Sequence, residues 1–383
     1  MTSEANQPDK IYYDLVISNL NGTNNGEAPP CLSYNETRSI PILYNPSSYY
    51  LSIVRFSLDT PTLPVWTPEI QLQDDPNLTA YSFTLSWTDP SSNITYDARE
   101  FLRFIPQDET RDTPLPPTKT INGFQDNTNG YYYVYNYQYI IYLCNNTFTS
   151  CLASLQKQLP PGLKLPSNEP PVMAWNVEND RAVLYTDING YDVGKTNCIK
   201  IFMNSNMSNL WNSFPLKVVS YSNVGDKGKN SQIITNSFGN ANILPYPPAM
   251  PSFDAIVTYQ EWSTIANINC VTSIVFCSNT LPIVPENISK PILFFNGSTL
   301  SSNGDNSLIS QIITDLALDA SYKPNILYEP KQYRLISMVG TQPLINVDVS
   351  VFWRDRIGQL NPFKLSAGST CTLKFLFTKK SSE

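Results

Sequence analysis

Close to its C-terminus the chain alternates twice with a two-residue period, and no other feature limits its fold as tightly. In VDVSVFWRDRIGQLNPFKL (347–365), Val347, Val349, Val351 and Trp353 fall on one side of an extended chain, while Asp348, Ser350 and Arg354 fall on the other. The run meets a charged corner, Arg354-Asp355-Arg356, then passes Gly358 and Pro362. A second alternation follows, with Cys371, Leu373, Phe375 and Phe377 facing one way and Thr372, Lys374 and Thr378 the other. Half-buried strands have this pattern because successive side chains leave a pleated backbone on opposite faces.

The rest of the composition agrees with a β protein. Tyr (23) and Phe (17) favour strands, while the helix formers Ala, Glu and Lys are scarce. Proline outnumbers glycine, 31 to 15, so the loops are stiffened by fixed φ. A length of 383 residues has room for one large domain or two ordinary ones.

Charge and residue usage exclude several kinds of chemistry. Charged residues make up 15% of the chain, the net charge is −7, and the densest basic spots, Asp226-Lys227-Gly228-Lys229 and Lys379-Lys380, are short. A phosphate-neutralising stripe is missing, so direct nucleic-acid binding is not expected. There is no histidine, which removes Ser-His-Asp and Cys-His nucleophiles, histidine-ligated metals and histidine pH sensing. Seven cysteines (31, 144, 151, 198, 270, 277, 371) include no CxxC pair and read as small buried hydrophobes in a reducing compartment. The first ten residues lack the basic and apolar regions of a signal peptide. Without a secretory route, the Asn-x-Ser/Thr sequons carry no weight.

Along the chain, residues 1–10 read as a flexible arm. Strands are expected at Ile11–Ile17, Arg38–Tyr44, Tyr49–Asp59 (with a buried Arg55) and 80–87, giving a first wall segment over 11–90. The region 91–250 reads as a mixed insertion bordered by Pro-rich stretches at 108–120 and 243–251. Its clearest helix has Phe148, Cys151, Leu152, Leu155 and Leu159 on one face, with an N-cap among Asn145, Asn146 and Thr147 and an end at Pro160-Pro161. A second helix is expected at Met207–Phe214. Strands are expected at Tyr131–Cys144, Val172–Asn176, Arg181–Asp187, Cys198–Met203 and Leu216–Ser220. From 251 to 383 the wall resumes, with strands at Phe253–Tyr259, Val271–Ser278, Pro291–Asn296, Leu308–Leu318, Gln332–Val339 and the closing pair. The stretch 296–307 reads as an exposed loop. With three or four strands before the insertion and six after it, the fold class expected is all-β, a single jelly roll of two antiparallel sheets carrying a large mixed insertion.

Candidate sites are few. Glu178 with Asp180, and Asp74 with Asp75, are acid pairs, but a glycosidase needs carboxyl groups facing each other roughly 5–9.5 Å apart across a cleft, and loop acids usually cap or face water. DINGYD (187–192) lacks the closing Glu of a calcium loop and fits a type I′ turn through Asn189-Gly190. The glycines near 225–228 do not match a P-loop. The tyrosines of NGYYYVYNYQY (129–139) could stack on sugars or bases, but alternating tyrosines favour a sheet face or a subunit interface. Arg334 and the corner Arg354-Asp355-Arg356 read either as a salt-bridged hairpin or as a contact to a neighbouring subunit. No catalytic, cofactor-binding or metal-binding residue is expected.

The C-terminal third, TSIVFCSNTLPIVPE (272–286), IITDLALD (312–319) and the run from Tyr333 to Phe377, resembles the penton, or minor capsid, proteins of virophages and Polinton-like viruses, those of the Sputnik type in particular. The matching positions are Tyr333, Arg334, Pro343, Leu344, Trp353, Asp355, Gly358, Pro362, Phe363, Leu365, Gly368, Lys374 and Phe377. YYLSIVRFSLDTPTLPVW (49–66) and IKIFMNSNMSNLWNSFP (199–215) extend the likeness, which is loose between about 91 and 250. One departure is Leu316, where the pattern has an aromatic. The resemblance implies a non-enzymatic capsid protein, pentameric at the fivefold vertices of an icosahedral double-stranded DNA virus, with its insertion outside. It also implies synthesis in host cytoplasm or a virus factory. The partners implied are itself as a homopentamer, neighbouring major capsid protein hexons, and a host or giant-virus surface receptor reached through the insertion. Two other classes remain open: a receptor- or glycan-binding jelly roll, and a carboxylate-pair hydrolase.

Overall fold

The computed structural model describes residues 7–19, 31–117, 125–127, 129–220, 228–236, 244–245, 254–284, 286–288, 293–295, 298–300, 308–318, 322–330, 332–356 and 358–381. Its chain divides into two compact units, Met1–Leu63 with Cys270–Glu383, and Pro64–Asn269. The first unit is made of the two stretches of chain that flank the second. The breaks differ from the 91 and 250 expected, because two strands assigned to the wall pair inside the second unit. Residues 1–6, most of 243–251, residues 226–227 and most of 296–307, each read from the sequence as an arm, border, basic spot or loop, lie outside the described residues.

The first unit opens with β1 (Lys10–Ser18), β2 (Ser33–Thr37) and β3 (Tyr49–Asp59). A strand was expected at Arg38–Tyr44, but β2 ends at Thr37. Pro41 supplies no N–H, and the segment makes only an isolated bridge, Leu43 to Leu344. Within β3 the register slips by one residue between its pairings at Ile53 and Arg55. The buried face therefore passes from Leu51 and Ile53 to Phe56 and Leu58, and Arg55, expected buried, is exposed. One extra residue thus changes which side chains face inward.

The second unit runs through β4 (Leu78–Thr88), β5 (Thr95–Arg103), α1 (Tyr137–Lys157), β6 (Val172–Asn176), β7 (Arg181–Asp187), α2 (Ile188–Tyr191), β8 (Ile199–Met203), α3 (Ser205–Leu210), β9 (Leu216–Val218), β10 (Ser231–Ile233), β11 (Leu244–Pro245), β12 (Asp254–Tyr259) and α4 (Ile265–Ile268). Two antiparallel sheets form, in the orders β5-β4-β8-β10-β9 and β11-β12-β7-β6. The strand expected at Tyr131–Cys144 is a correction: α1 begins at Tyr137. Its N-cap is Asn136, whose Oδ1 accepts from Tyr139 N at 2.9 Å. Helical spacing carries Ile140, Cys144, Phe148, Cys151 and Leu155 onto one buried face, and this outweighs the strand propensity of tyrosine. Phe148 stacks on Phe83 of β4, ring centroids 4.1 Å apart. Asn204 caps α3 by accepting from Met207 N at 3.1 Å.

The chain re-enters the first unit with β13 (Val271–Cys277). Two short ribbons follow, β14 (Glu286–Ile288) with β17 (Leu308–Ser310) and β15 (Leu293–Phe295) with β16 (Ser298–Leu300). Then come β18 (Ile312–Ala317), β19 (Asn325–Tyr328), β20 (Ile336–Ser337), β21 (Asn346–Asp355), β22 (Leu360–Pro362) and β23 (Thr370–Lys379). The single strand expected at 308–318 is two, and that expected at Gln332–Val339 shrinks to β20. One sheet is ordered β1-β23-β3-β19 and the other β18-β13-β21-β2. Counted along the chain, the eight wall strands pair one–eight–three–six and two–seven–four–five, the double Greek key of a jelly roll. The second unit is inserted between the third wall strand and the fourth. Phe56 and Phe276 meet edge to face between the two sheets, centroids 5.2 Å apart, both fully buried. Burying each ring contributes roughly 1.5–3 kcal/mol. Val347, Val349, Val351, Trp353, Cys371, Leu373, Phe375 and Phe377 are all buried, as their alternation requires.

Candidate interaction surfaces

The two acid pairs sit in separate local settings, and of the four acids Asp75 is a cap. Glu178 and Asp180 occupy the exposed tip joining β6 to β7, whose last pair is Asn176 with Arg181. Asn176 Oδ1 accepts from Glu178 N at 2.9 Å, and Asp180 takes φ 52° to complete the turn. Asp75 Oδ1 accepts from Asn77 N at 2.9 Å, and its other oxygen pairs with Arg103 at 2.8 Å. The Asn77 amide and then Arg103 hold the Asp75 carboxyl below its usual range. Asp75 is thus committed to its own turn and to Arg103, and the tip is capped by Asn176.

The turn expected at Asn189-Gly190 is instead the single helical turn α2, capped by Asp187, whose Oδ1 accepts from Asn189 N at 2.9 Å. Glycine is required there by packing: a Cβ on Gly190 would lie 2.2 Å from Ser167 Cβ. Among the described residues no group of His, Cys, Asp and Glu is arranged to hold a metal ion. None of the seven cysteines is in a disulfide, and all but Cys31 are buried. Burial pushes the thiols of Cys144, Cys151 and Cys371 up to about 12, which keeps them protonated and unreactive.

The tyrosine-rich stretch, expected at an interface, is core. Tyr131 and Tyr132 are buried and pack with Phe104 and each other at centroid distances of 5.1–5.8 Å. Their hydroxyls donate to Asn77 Oδ1 and to Pro76 O, both at 2.8 Å. Tyr137 stacks on Trp175 at 4.7 Å and 15° and donates to Asn269 Oδ1. Rings already stacked on one another offer no platform to a sugar or base. The exposed aromatics Trp262 and Tyr259, beside the end of β12, were not singled out from the sequence, where a lone Trp after a polar pair gives no periodic signal.

At the corner, β21 ends at Asp355 and the antiparallel β22 begins at Leu360. Gly358 has φ +84°, its N–H donates to Asp355 O at 3.1 Å, and Asp355 Oδ1 accepts from Gln359 N at 2.8 Å. Glycine takes this left-handed conformation without strain. Arg354 and Arg334 both reach Asp315 on the edge strand β18, at 3.3 and 3.7 Å. Those two arginines are thus committed to a salt-bridged edge, and Arg356 is exposed. The opposite edge of the sandwich is closed by hydroxyls. Tyr13 of β1 and Tyr34 of β2 both donate to the Glu36 carboxylate, and Arg38 lies over the Tyr13 ring at 5.8 Å. The Tyr13 and Tyr34 hydrogen bonds hold the Glu36 carboxyl below its usual range. These arrangements fasten two sheets together and present surfaces for contact.

Comparison with known proteins gives the same picture. A family profile described as Sputnik minor capsid protein V18/19 matches residues 11–379. The chain is 29% identical to the uncharacterized protein V18 of Sputnik virophage over 163 residues, 41% of this chain and 93% of that protein. It is 27% identical to the structural protein V19 of Sputnik virophage over 194 residues, 50% of this chain and 86% of that one. A chain in the 3.5 Å cryo-EM structure of the Sputnik virophage superposes with a TM-score of 0.80 and 26% identity, over 98% of this chain and 99% of that chain. The mavirus penton protein shares the fold, with a TM-score of 0.62 at 17% identity over 97% of this chain and 100% of that one.

Proposed function

We propose that this chain, which belongs to the Sputnik minor capsid protein V18/19 family, is the structural capsid protein that closes as a homopentamer around the fivefold vertices of an icosahedral double-stranded DNA virion. The observation that carries this is the likeness, over 98% of the chain, to a chain of the Sputnik virophage particle. The jelly roll forms the base of each copy and the inserted unit Pro64–Asn269 is directed outward. Five copies in a ring meet through a heterologous contact that closes by rotation, and a permanent contact of that kind buries roughly 2,000 Å² or more. The base also abuts neighbouring major capsid subunits. Architecture supports a mechanical role: buried aromatics join the two sheets, and ion pairs and tyrosine hydroxyls close their edges.

Native mass measurement of the purified full chain, with imaging of particles, tests this reading. A five-copy mass and density for the chain at the vertices are the expected result. A monomer or dimer at every salt concentration, with vertices built of another chain, refutes it.

A further inference from the structure

We draw no further inference here: the strongest candidate, the side of the sheet β5-β4-β8-β10-β9 turned away from α1, where Arg99, Lys200, Lys217 and Lys229 outnumber Asp97, carries nothing, because Lys229 is already paired with Asp97, Arg99 donates to Ser82, and nothing in the structure shows what covers this face.

Discussion

Phe56 and Phe276 offer the sharpest check that the two sheets face each other as described. Each ring is fully buried, one on β3 and one on β13, and they meet at 5.2 Å and 66°. Leucine at either position removes the ring and keeps an apolar side chain, at a cost of about 1–2 kcal/mol from lost burial and incomplete collapse around the gap. The edge-to-face pairing adds roughly 0.5–1.5 kcal/mol beyond burial. The double variant Phe56→Leu/Phe276→Leu is therefore expected to cost less than the sum of the two singles by that pairing energy. The chain holds two compact units, and a single melting curve does not assign a transition to either of them. Hydrogen exchange of peptides covering Leu51–Leu58 and Ile274–Cys277, measured across a denaturant series, reports the wall alone. Distant, independent sites add to within about 0.3–0.5 kcal/mol. Additivity of the two singles within that limit would mean that the rings do not touch, and the pairing of the sheets would have to be redrawn.

Other substitutions probe separate parts of the same wall. Trp353→Ala removes a ring that is 2% exposed and is expected to cost about 3–5 kcal/mol; soluble, cooperatively folding protein would contradict the burial of that face. Arg356→Glu, on the exposed turn, should change stability by about 1 kcal/mol or less and yet lower incorporation into particles if the turn meets a neighbour, which vertex occupancy in assembled particles reads directly. Burial pushes the Asp348 carboxyl up, but the hydrogen bonds from Ser278, Thr280 and Asn279 outweigh it and leave it below its usual range. Its stabilisation is therefore present above the unfolded value, about pH 3.9, and lost as pH falls through the folded one. Asp348→Asn should cost about 2 kcal/mol at neutral pH and lose that acid dependence in denaturant titrations from pH 6 to 2. Lys323 behaves in the opposite sense, because burial draws its ammonium down to about 8. Between that value and about 10.4 the unfolded chain binds more protons, so the stability of the parent relative to Lys323→Met should rise over pH 8–10 and stay flat below it; a fall over that range would refute the assignment.

How much of this was legible in the sequence depended on whether a segment's own period decided its structure. The strand Tyr49–Asp59 and the two closing strands could be read directly, because each buries one face and alternation reports that face. Arg55 could not be placed, since a bulge shifts the period by one residue and leaves no mark of its own in YYLSIVRFSLDT. Tyr131–Cys144 misled because tyrosine's preference for strands is local, whereas the face formed by Ile140, Cys144 and Phe148 becomes visible only over several turns. Strands β4 and β12 were recognisable as strands, but alternation does not say which sheet a strand joins, and the expected domain borders went astray for that reason. Among the candidate contacts, the corner after Trp353 was found from its charges.

The position of β23 between β1 and β3 has a consequence for how the protein is made. Ile11 pairs with Phe377, and Leu373 with both Leu15 and Phe56, so β1 finds this neighbour only after the whole stretch between the two strands has been translated. The inserted unit, whose strands pair among themselves, can fold while synthesis continues at roughly 5–20 residues per second; the wall has to wait. A chain interrupted between Asn269 and Thr370 would hold a complete inserted unit but a wall without β23, with β1 and β3 each exposing an unpaired edge. Such products would be sticky and vulnerable to proteolysis rather than competent to assemble. Placing β23 between β1 and β3 thus makes its translation a condition for closing the wall.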